Sequence, residues 1–456
     1  MGQRNFRAPS CNMKRFVGDV RGGERIPLAR RAQIVFVVAL LASGSMWFYV
    51  NRIMKRVQVE YAAAHNVPRG NLSDLYPRWL GARELLLHKR NPYSQEITHE
   101  IQEGYYGRLL DSARSDDPKD QQGFAYPVYV VFLLAPLAGL SFPIAQLIFR
   151  WILIGLTGLS VLLWLRVLRW RVSCIALAGC VVLTLGSFPA VQGIKLQQLS
   201  LLVSGLLAGS VACVVGGHLF LAGAILALAT IKPQLAGPMA SWLLLWALAD
   251  WRRRSRLVVG FASIWGALLV AAQIVLPGWW GMFFEAVRDY HRYTQNESVL
   301  GMMAGRTGGL ILTAVAALWS ILWLWRLRGA DAYADQFGAA VALAAALTVL
   351  IVPMYAPYNQ VLLLPAILIL AKWRAGRGDL SLAWRVSFGF GLFTLTWPWL
   401  ATFGLCGIYV LGLTALALRG WTIPLYANFA LPVLVFTLVV LSLPKQQHIA
   451  DRVSTE

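Results

Sequence analysis

Phe124-Ala-Tyr-Pro-Val-Tyr-Val-Val-Phe-Leu-Leu-Ala-Pro-Leu-Ala-Gly-Leu-Ser-Phe142 decides how this chain is threaded. The run is apolar and close to the length of about 20 residues that a helix needs to cross a bilayer core. Pro127, Pro136 and the adjoining Pro143 interrupt it. If it spans, the short basic clusters Arg166-Val-Leu-Arg-Trp-Arg171, Trp251-Arg-Arg-Arg-Ser-Arg256 and Lys372-Trp-Arg374 all fall outside. If it only dips into the outer leaflet, all three fall inside. Short loops rich in Lys and Arg set orientation and stay cytoplasmic. The second reading is therefore the expectation: Phe124–Phe142 is a surface or re-entrant helix that roofs a site. Non-helical backbone at such a dip must be covered by protein or open to a cavity.

Outward from this run the chain is a series of apolar stretches. Of its 456 residues 58% are hydrophobic and 14% charged, and the mean hydropathy is +0.58. The expected fold is all-α and polytopic. Spans are expected at 33–50, 144–168, 173–190, 199–215, 219–231, 235–249, 257–276, 308–326, 338–352, 361–371, 384–400, 404–418 and 424–443. That makes about thirteen, with the C-terminus outside. Residues 1–32 are expected as a flexible cytoplasmic tail, because Arg4, Arg7, Lys14, Arg15, Arg21, Arg25, Arg30 and Arg31 precede a full-length span with no cleavage site. Residues 33–443 then form one membrane domain. Its first outer loop is 51–143 and its second is 277–306, and 444–456 is a polar tail. The net charge of +20 sits in clusters between apolar runs, which points to membrane orientation and not to nucleic acid. Four of the five cysteines (Cys174, Cys180, Cys213, Cys406) lie in apolar runs, and none has disulfide or zinc spacing. Gly205-Leu-Leu-Ala-Gly209 and Gly301-Met-Met-Ala-Gly305 fit small-residue contacts between helices.

A long polar insert in so apolar a chain calls for a function. It contains Asn71-Leu-Ser-Asp-Leu-Tyr-Pro-Arg-Trp-Leu-Gly81 and Asn91-Pro-Tyr93, with 11 Lys/Arg against 10 Asp/Glu over 51–125. Leu75, Trp79, Ala82 and Leu86 at helical spacing predict an amphipathic helix on the membrane surface over 74–90. A second surface helix is expected over 95–110. Asp111–Gln122 reads as a solvated loop, Asp116 and Asp117 included. Asp74 has two readings: a catalytic carboxylate, or a cap on the helix behind it. On the expected topology the outer face gathers Asp74, Arg78, Tyr126, Lys195, Gln197, Gln198, Lys232, Gln234, Asn296, Arg306 and Asn359. Lys232 stands in an apolar stretch with no acid nearby in sequence. Such a residue costs about 2.5–3.5 kcal/mol to insert and is usually functional, although snorkelling to the interface is the plain alternative.

Asp74-Leu-Tyr76, Gly81 and Asn91-Pro-Tyr93 resemble the opening signature of glycosyltransferase family 87, membrane enzymes of the C-type glycosyltransferase fold. Phe124-Ala-Tyr-Pro-Val128, Lys195-Leu-Gln-Gln198, Lys232-Pro-Gln234 and Asn296-Glu-Ser298 resemble later motifs of that family, and Tyr358-Asn359 stands where many members carry histidines. The resemblance implies sugar transfer, mannose first among the hexoses, from a polyprenyl-phosphate sugar donor to a lipid or glycan acceptor on the outer face of the inner (plasma) membrane. It implies Asp74 as the base. Lys232, Arg78 and Lys195 would serve the donor phosphate, and Tyr76, Tyr93, Tyr126, Gln198, Gln234, Asn296 and Asn359 the substrates. The leaving group is a phosphate anion, so one carboxylate suffices for inverting single displacement. No Asp-x-Asp occurs in the outer loops, no histidine has ligand spacing, and no metal or other cofactor is expected. The rival class is a transporter or lipid-linked-glycan flippase, which the absence of two-half symmetry disfavours; a non-catalytic assembly subunit would not need Asp74.

Overall fold

The computed structural model describes residues 28–69, 73–111, 113–294, 297–353, 355–376 and 380–455, with side chains from 33 to 443. Most of the expected basic tail lies outside the described residues. Within them every regular element is helical, as lipid demands of a chain that must satisfy its own backbone. The first long helix, α1 (Leu28–Phe48), runs through a π-helical turn (Tyr49–Met54) into α2 (Lys55–Ala64). The polar insert then holds α3 (Tyr76–His88), α4 (Gln95–Tyr106) and α5 (Val130–Ala138). After α6 (Phe142–Val167) come α7 (Cys174–Leu185), α8 (Phe188–Leu196), α9 (Leu199–Val215), α10 (Leu219–Ala229), α11 (Pro233–Leu248) and α12 (Trp251–Val275). The chain continues through α13 (Trp279–Thr294), α14 (Val299–Arg326), α15 (Asp335–Ile351) and a 3-10 turn (Pro357–Leu363). It closes with α16 (Leu364–Ala375), α17 (Leu382–Val410), α18 (Thr414–Arg419) and α19 (Ala430–Thr455).

This is a multi-pass membrane architecture. Among the described residues six helical stretches are long and apolar enough to cross a bilayer, or seven if the bent pair α7–α8 counts as one. Several expected spans are shorter helices wrapped in protein. α15 is the clearest: every side chain from Phe337 to Leu350 is buried, inside a ring formed by α11, α14, α16 and α19. Hydropathy reads an apolar face alike whether lipid or protein covers it, so the sequence scored these as crossings. The expected spans 384–400 and 404–418 are corrected: α17 runs unbroken through Pro398 to Val410. The span 173–190 is corrected too. It breaks between Gly186 and Ser187, bending by 57°, where Ser187 accepts the Ala190 N–H and Pro189 opens α8. The outer loop expected at 193–198 is thereby mostly helix. The 277–306 loop likewise contains α13, whose Trp279 and Phe283 are buried. α12, α14 and α17 turn wide apolar faces outward, with Ile274, Leu310, Leu318 and Leu382 each more than 60% exposed, the surface that lipid covers.

Phe124–Phe142 holds no helix long enough to cross a bilayer core. Its helix α5 has nine residues, about 14 Å at 1.5 Å per residue, against a core of about 30 Å. Tyr129 Oη bonds to Thr230 O at 2.9 Å before α5. After it, Trp79 Nε1 donates to Leu137 O at 3.0 Å and Arg83 to Ala138 O at 3.3 Å, both from α3. Those donors satisfy the carbonyls a helix end leaves open. α3 is therefore not the amphipathic surface helix that its spacing predicts. No residue from Tyr76 to Leu86 is exposed, and Glu84 is buried against Arg90 at 2.8 Å and His88 at 3.1 Å.

The three basic clusters gather at one end of the molecule. Lys372 Nζ bonds to Leu168 O at 2.8 Å and to Asp335 at 3.0 Å. Arg169 lies 4.5 Å from the Tyr333 ring centroid, and Arg254 donates to Arg328 O at 3.1 Å and Ala330 O at 3.2 Å. From this end, α6, α11 and α15 each lead one helix length to the end that holds Asp74.

Gly205 of α9 meets α6 as its motif predicts, a Cβ there lying 3.2 Å from Leu156 Cβ, but the tightest backbone contacts between helices come from other glycines. A Cβ on Gly223 of α10 would lie 2.0 Å from Leu257 O, and one on Gly260 of α12 would lie 2.1 Å from Phe220 O. Gly305, by contrast, takes φ +71 where α14 kinks, so that motif is a bend. Replacing Gly223 by leucine forces α10 from α12 and should destabilise the purified protein by about 1–3 kcal/mol or more, the usual cost of overpacking. Thermal melting in detergent checks this; an unchanged melting temperature would show that the two helices separate freely.

Candidate active site

Asp74 enters the site from the last turn before α3. Its backbone N–H bonds to Leu196 O at 3.0 Å, which pins the polar insert to the end of α8. The capping reading fails on geometry. No side chain caps α3 in the usual manner, and Ser73 Oγ takes the Leu75 N–H at 3.3 Å. The Asp74 carboxylate points elsewhere. Oδ1 accepts from Tyr105 Oη at 3.0 Å and Oδ2 accepts from Gln198 Nε2.

Gln198 carries the connection onward. It precedes α9, where Gln197 in the left-handed conformation (φ 51) turns the chain. Its Oε1 accepts from Lys232 Nζ at 3.3 Å. Lys232 also donates to Ser200 Oγ at 2.8 Å, and Ser200 in turn donates to Asn359 Oδ1 at 2.8 Å. The ammonium lies 5.5 Å from the Tyr358 ring centroid and is 7% exposed. It is held by polar partners under the surface and does not snorkel. Arg78, one turn into α3, donates to the Asp74 carbonyl and to Tyr126 Oη at 2.9 Å. Burial works against its charge, but Tyr126 and Asp74 outweigh burial and hold its pKa above the ordinary value. Tyr93 Oη donates to Tyr126 O at 2.5 Å, fixing that loop.

One cluster thus unites Asp74, Arg78, Tyr126, Gln198, Lys232 and Asn359 from separate parts of the chain. The remaining expected site residues stand apart. Tyr76 packs edge-on against Phe142 at 5.0 Å and abuts Gly104. Gln234 is exposed in the first turn of α11, and Gln197 bonds to Gln146 at 3.0 Å and to Ile194 O at 2.7 Å, so Gln197 serves the frame. Arg306 is exposed on α14. Among the described residues no hydrogen bond ties Lys195 to the cluster, and the charges that act on it are those of Arg69 and Lys55. Asn296 lies outside the described residues.

The sequence reading missed Tyr105, Ser200 and Asp120, and gave Tyr358 no role of its own. Asp120 came from the loop taken as solvated. Its Oδ1 accepts from Gln122 N at 2.9 Å and its Oδ2 from Gln122 Nε2 at 3.0 Å, and Tyr106 Oη binds its carbonyl at 2.8 Å. Burial first, then the Asp74 charge, push its carboxyl pKa up. A raised carboxyl stabilises the fold below its unfolded pKa of about 3.9 and loses that contribution as pH rises through the folded value. Asp120→Asn should therefore raise the melting temperature at pH 7, with the gain shrinking toward pH 4. An equal effect at both pH values would show that the carboxyl is unperturbed.

The sequence model of glycosyltransferase family 87 matches residues 124–353, half of the chain. This chain belongs to glycosyltransferase family 87. No curated protein and no solved structure matches it. The family 87 match takes in Tyr126, Gln198, Ser200 and Lys232, and begins after Asp74 and Arg78. It makes the chain a membrane glycosyltransferase. In a family 87 enzyme a carboxylate with both oxygens held, next to a buried ammonium and guanidinium, can accept a proton while neighbouring cations meet a departing anion.

Proposed function

We propose that this enzyme moves a hexose, mannose first, from a polyprenyl-phosphate sugar to a lipid or glycan acceptor on the outer face of the plasma membrane. The acceptor hydroxyl oxygen attacks the anomeric carbon. The bond from that carbon to the phosphate oxygen breaks, and polyprenyl phosphate leaves with the electron pair. The hydroxyl proton passes to Asp74, and the sugar inverts in a single displacement. Lys232, with Arg78 beside it, offsets the charge that develops on the phosphate. The placement of Asp74, gripped by Tyr105 and Gln198 and linked through Gln198 to Lys232, carries this reading. Incubating the purified protein with labelled polyprenyl-phosphate mannose and a membrane lipid extract tests it. Label transferred to the extract supports the reading; donor recovered intact, with other labelled hexose donors transferred, would reject mannose.

The orientation follows from the gathered basic clusters. Arg166–Arg171, Arg252–Arg256 and Lys372–Arg374 are assigned to the cytoplasm and the Asp74 end to the outside. Single cysteines placed at 169 and 254 in a cysteine-free background should resist a membrane-impermeant thiol reagent on intact cells. Labelling at both would invert the assignment.

A further inference from the structure

Lys195 sits on the last turn of α8, where the charges acting on it are those of Arg69 and Lys55. Packing brings the three together. Tyr49, Val50, Ile53 and Met54 of the π-helical turn cluster with Phe188 and Val191 of α8. Val191 and Lys195, four residues apart, share a face of α8. The contact that buries Val191 therefore carries Lys195 toward Lys55, which follows the π turn directly. Arg69 arrives on the segment whose Asp74 N–H is tied to Leu196 O. Inserted π turns recur at functional sites because they re-aim the side chains that follow.

No carboxylate answers these cations. Glu60, on the same helix as Lys55, pairs with Arg56 at 2.6 Å. Among the described residues none of the three enters an ion pair, and Gly70-Asn-Leu72 has no charge to offer. Three uncompensated cations, Arg69 and Lys195 half-buried and Lys55 exposed beside them, repel one another and favour an anion. A second, independent feature points to a ligand. Gln192, three residues before Lys195 on the same helix, has its side-chain oxygen buried without a hydrogen-bond partner, as a site for a hydroxyl beside the anion would. The level in the bilayer is also marked. The π turn and α2 continue a membrane span and expose Arg52, Lys55, Arg56 and Tyr61, the mix of basic and aromatic residues found at head-group depth.

We propose that Lys55, Arg69 and Lys195 form an anion site for a phosphate ester carried on a membrane lipid, separate from the Lys232 cluster. It rests on the transfer reading only for which lipid fills it: in a transferase the sugar-phosphate lipid is one such ligand, and a bilayer phospholipid is another of the same chemistry.

Isothermal titration of the purified full-length protein in a non-ionic detergent tests the site without turnover, so its failure is separate from any failure of the transfer reading. The probes are farnesyl phosphate, farnesol, short-chain phosphatidylglycerol and inorganic phosphate. Farnesyl phosphate should bind and farnesol should not. Displacement by phosphatidylglycerol at similar concentration would identify the site as one for bilayer head groups. Displacement by inorganic phosphate alone would remove the lipid from the proposal and overturn it. Lys195→Met and Arg69→Gln should each weaken farnesyl phosphate binding by about tenfold or more, the loss expected for a hydrogen bond to a charged group. Lys55→Met, at an exposed position, gives the same readout without risk to folding. Unchanged affinity in Lys55→Met and Lys195→Met proteins of wild-type melting temperature, or equal binding of farnesol, would overturn the proposal.

Discussion

Asp74→Asn should lower the turnover of sugar transfer by roughly 10²–10⁴-fold, the contribution of a positioned base, and leave the fold intact. Asparagine keeps the size of the side chain and can still accept from Tyr105 and meet Gln198. What it loses is basicity. The same substitution at a helix cap is nearly neutral, because Asn caps as well as Asp, and here the side chain does not cap α3 at all. The control must be chosen from the structure. Glu84 looks like a plain surface acid in sequence, but it is buried under Arg90 and His88, so Glu84→Gln carries a stability cost of its own. Asp116→Asn, exposed in the loop, is the better control and should keep full activity. If the Asp74→Asn enzyme retained more than about a tenth of wild-type turnover, too much for an enzyme without its base, the proton would have another acceptor.

Lys232→Met should cost about 10²–10³-fold in turnover, the loss seen when one preorganised electrostatic donor is removed from a water-poor site. Methionine fills the volume without the charge, so packing against Tyr358 survives while the ammonium is lost. Lys232→Arg should fall between the two. It keeps the charge but presents a planar fork where a compact ammonium meets Gln198 and Ser200. Since Gln198 touches both Asp74 and Lys232, the double variant Asp74→Asn with Lys232→Met should lose less than the product of the single losses. Initial-rate measurements on all four proteins complete the cycle. Wild-type turnover in Lys232→Met would return Lys232 to a structural role.

The cluster was only half legible beforehand. Lys232 stands out in sequence because a charge is expensive in an apolar run, and Asp74, Arg78, Tyr126, Gln198 and Asn359 through the expected outer face and the family resemblance. Their partners do not. Ser200 and Tyr105 have ordinary compositions around them, and only the fold shows that one receives Lys232 and the other binds Asp74. Asp120 was hidden by a loop whose composition is that of solvated chain. Its burial arises from neighbours such as Tyr106, which is distant from Asp120 along the chain but bonds its carbonyl. Lys195 illustrates the opposite error: its motif associates it with Gln198, yet helix phase turns it toward Arg69 and Lys55.

By itself the sequence determined that this is an all-helical membrane protein, because apolar runs in lipid have almost no other way to close their hydrogen bonds. It led, through the short basic loops that follow, to the expectation that Phe124–Phe142 does not cross, and the run holds only a nine-residue helix. It also singled out Asp74 and Lys232 as the charges to explain. Tertiary structure alone decided how many apolar helices face lipid and how many face protein. It placed the bend between α7 and α8 and the unbroken course of α17, and it made α3 a buried element. The physical reason is common to these cases. Hydropathy and periodicity record what a residue prefers to touch, whereas span count, burial and hydrogen-bond partners depend on which distant segment arrives to touch it.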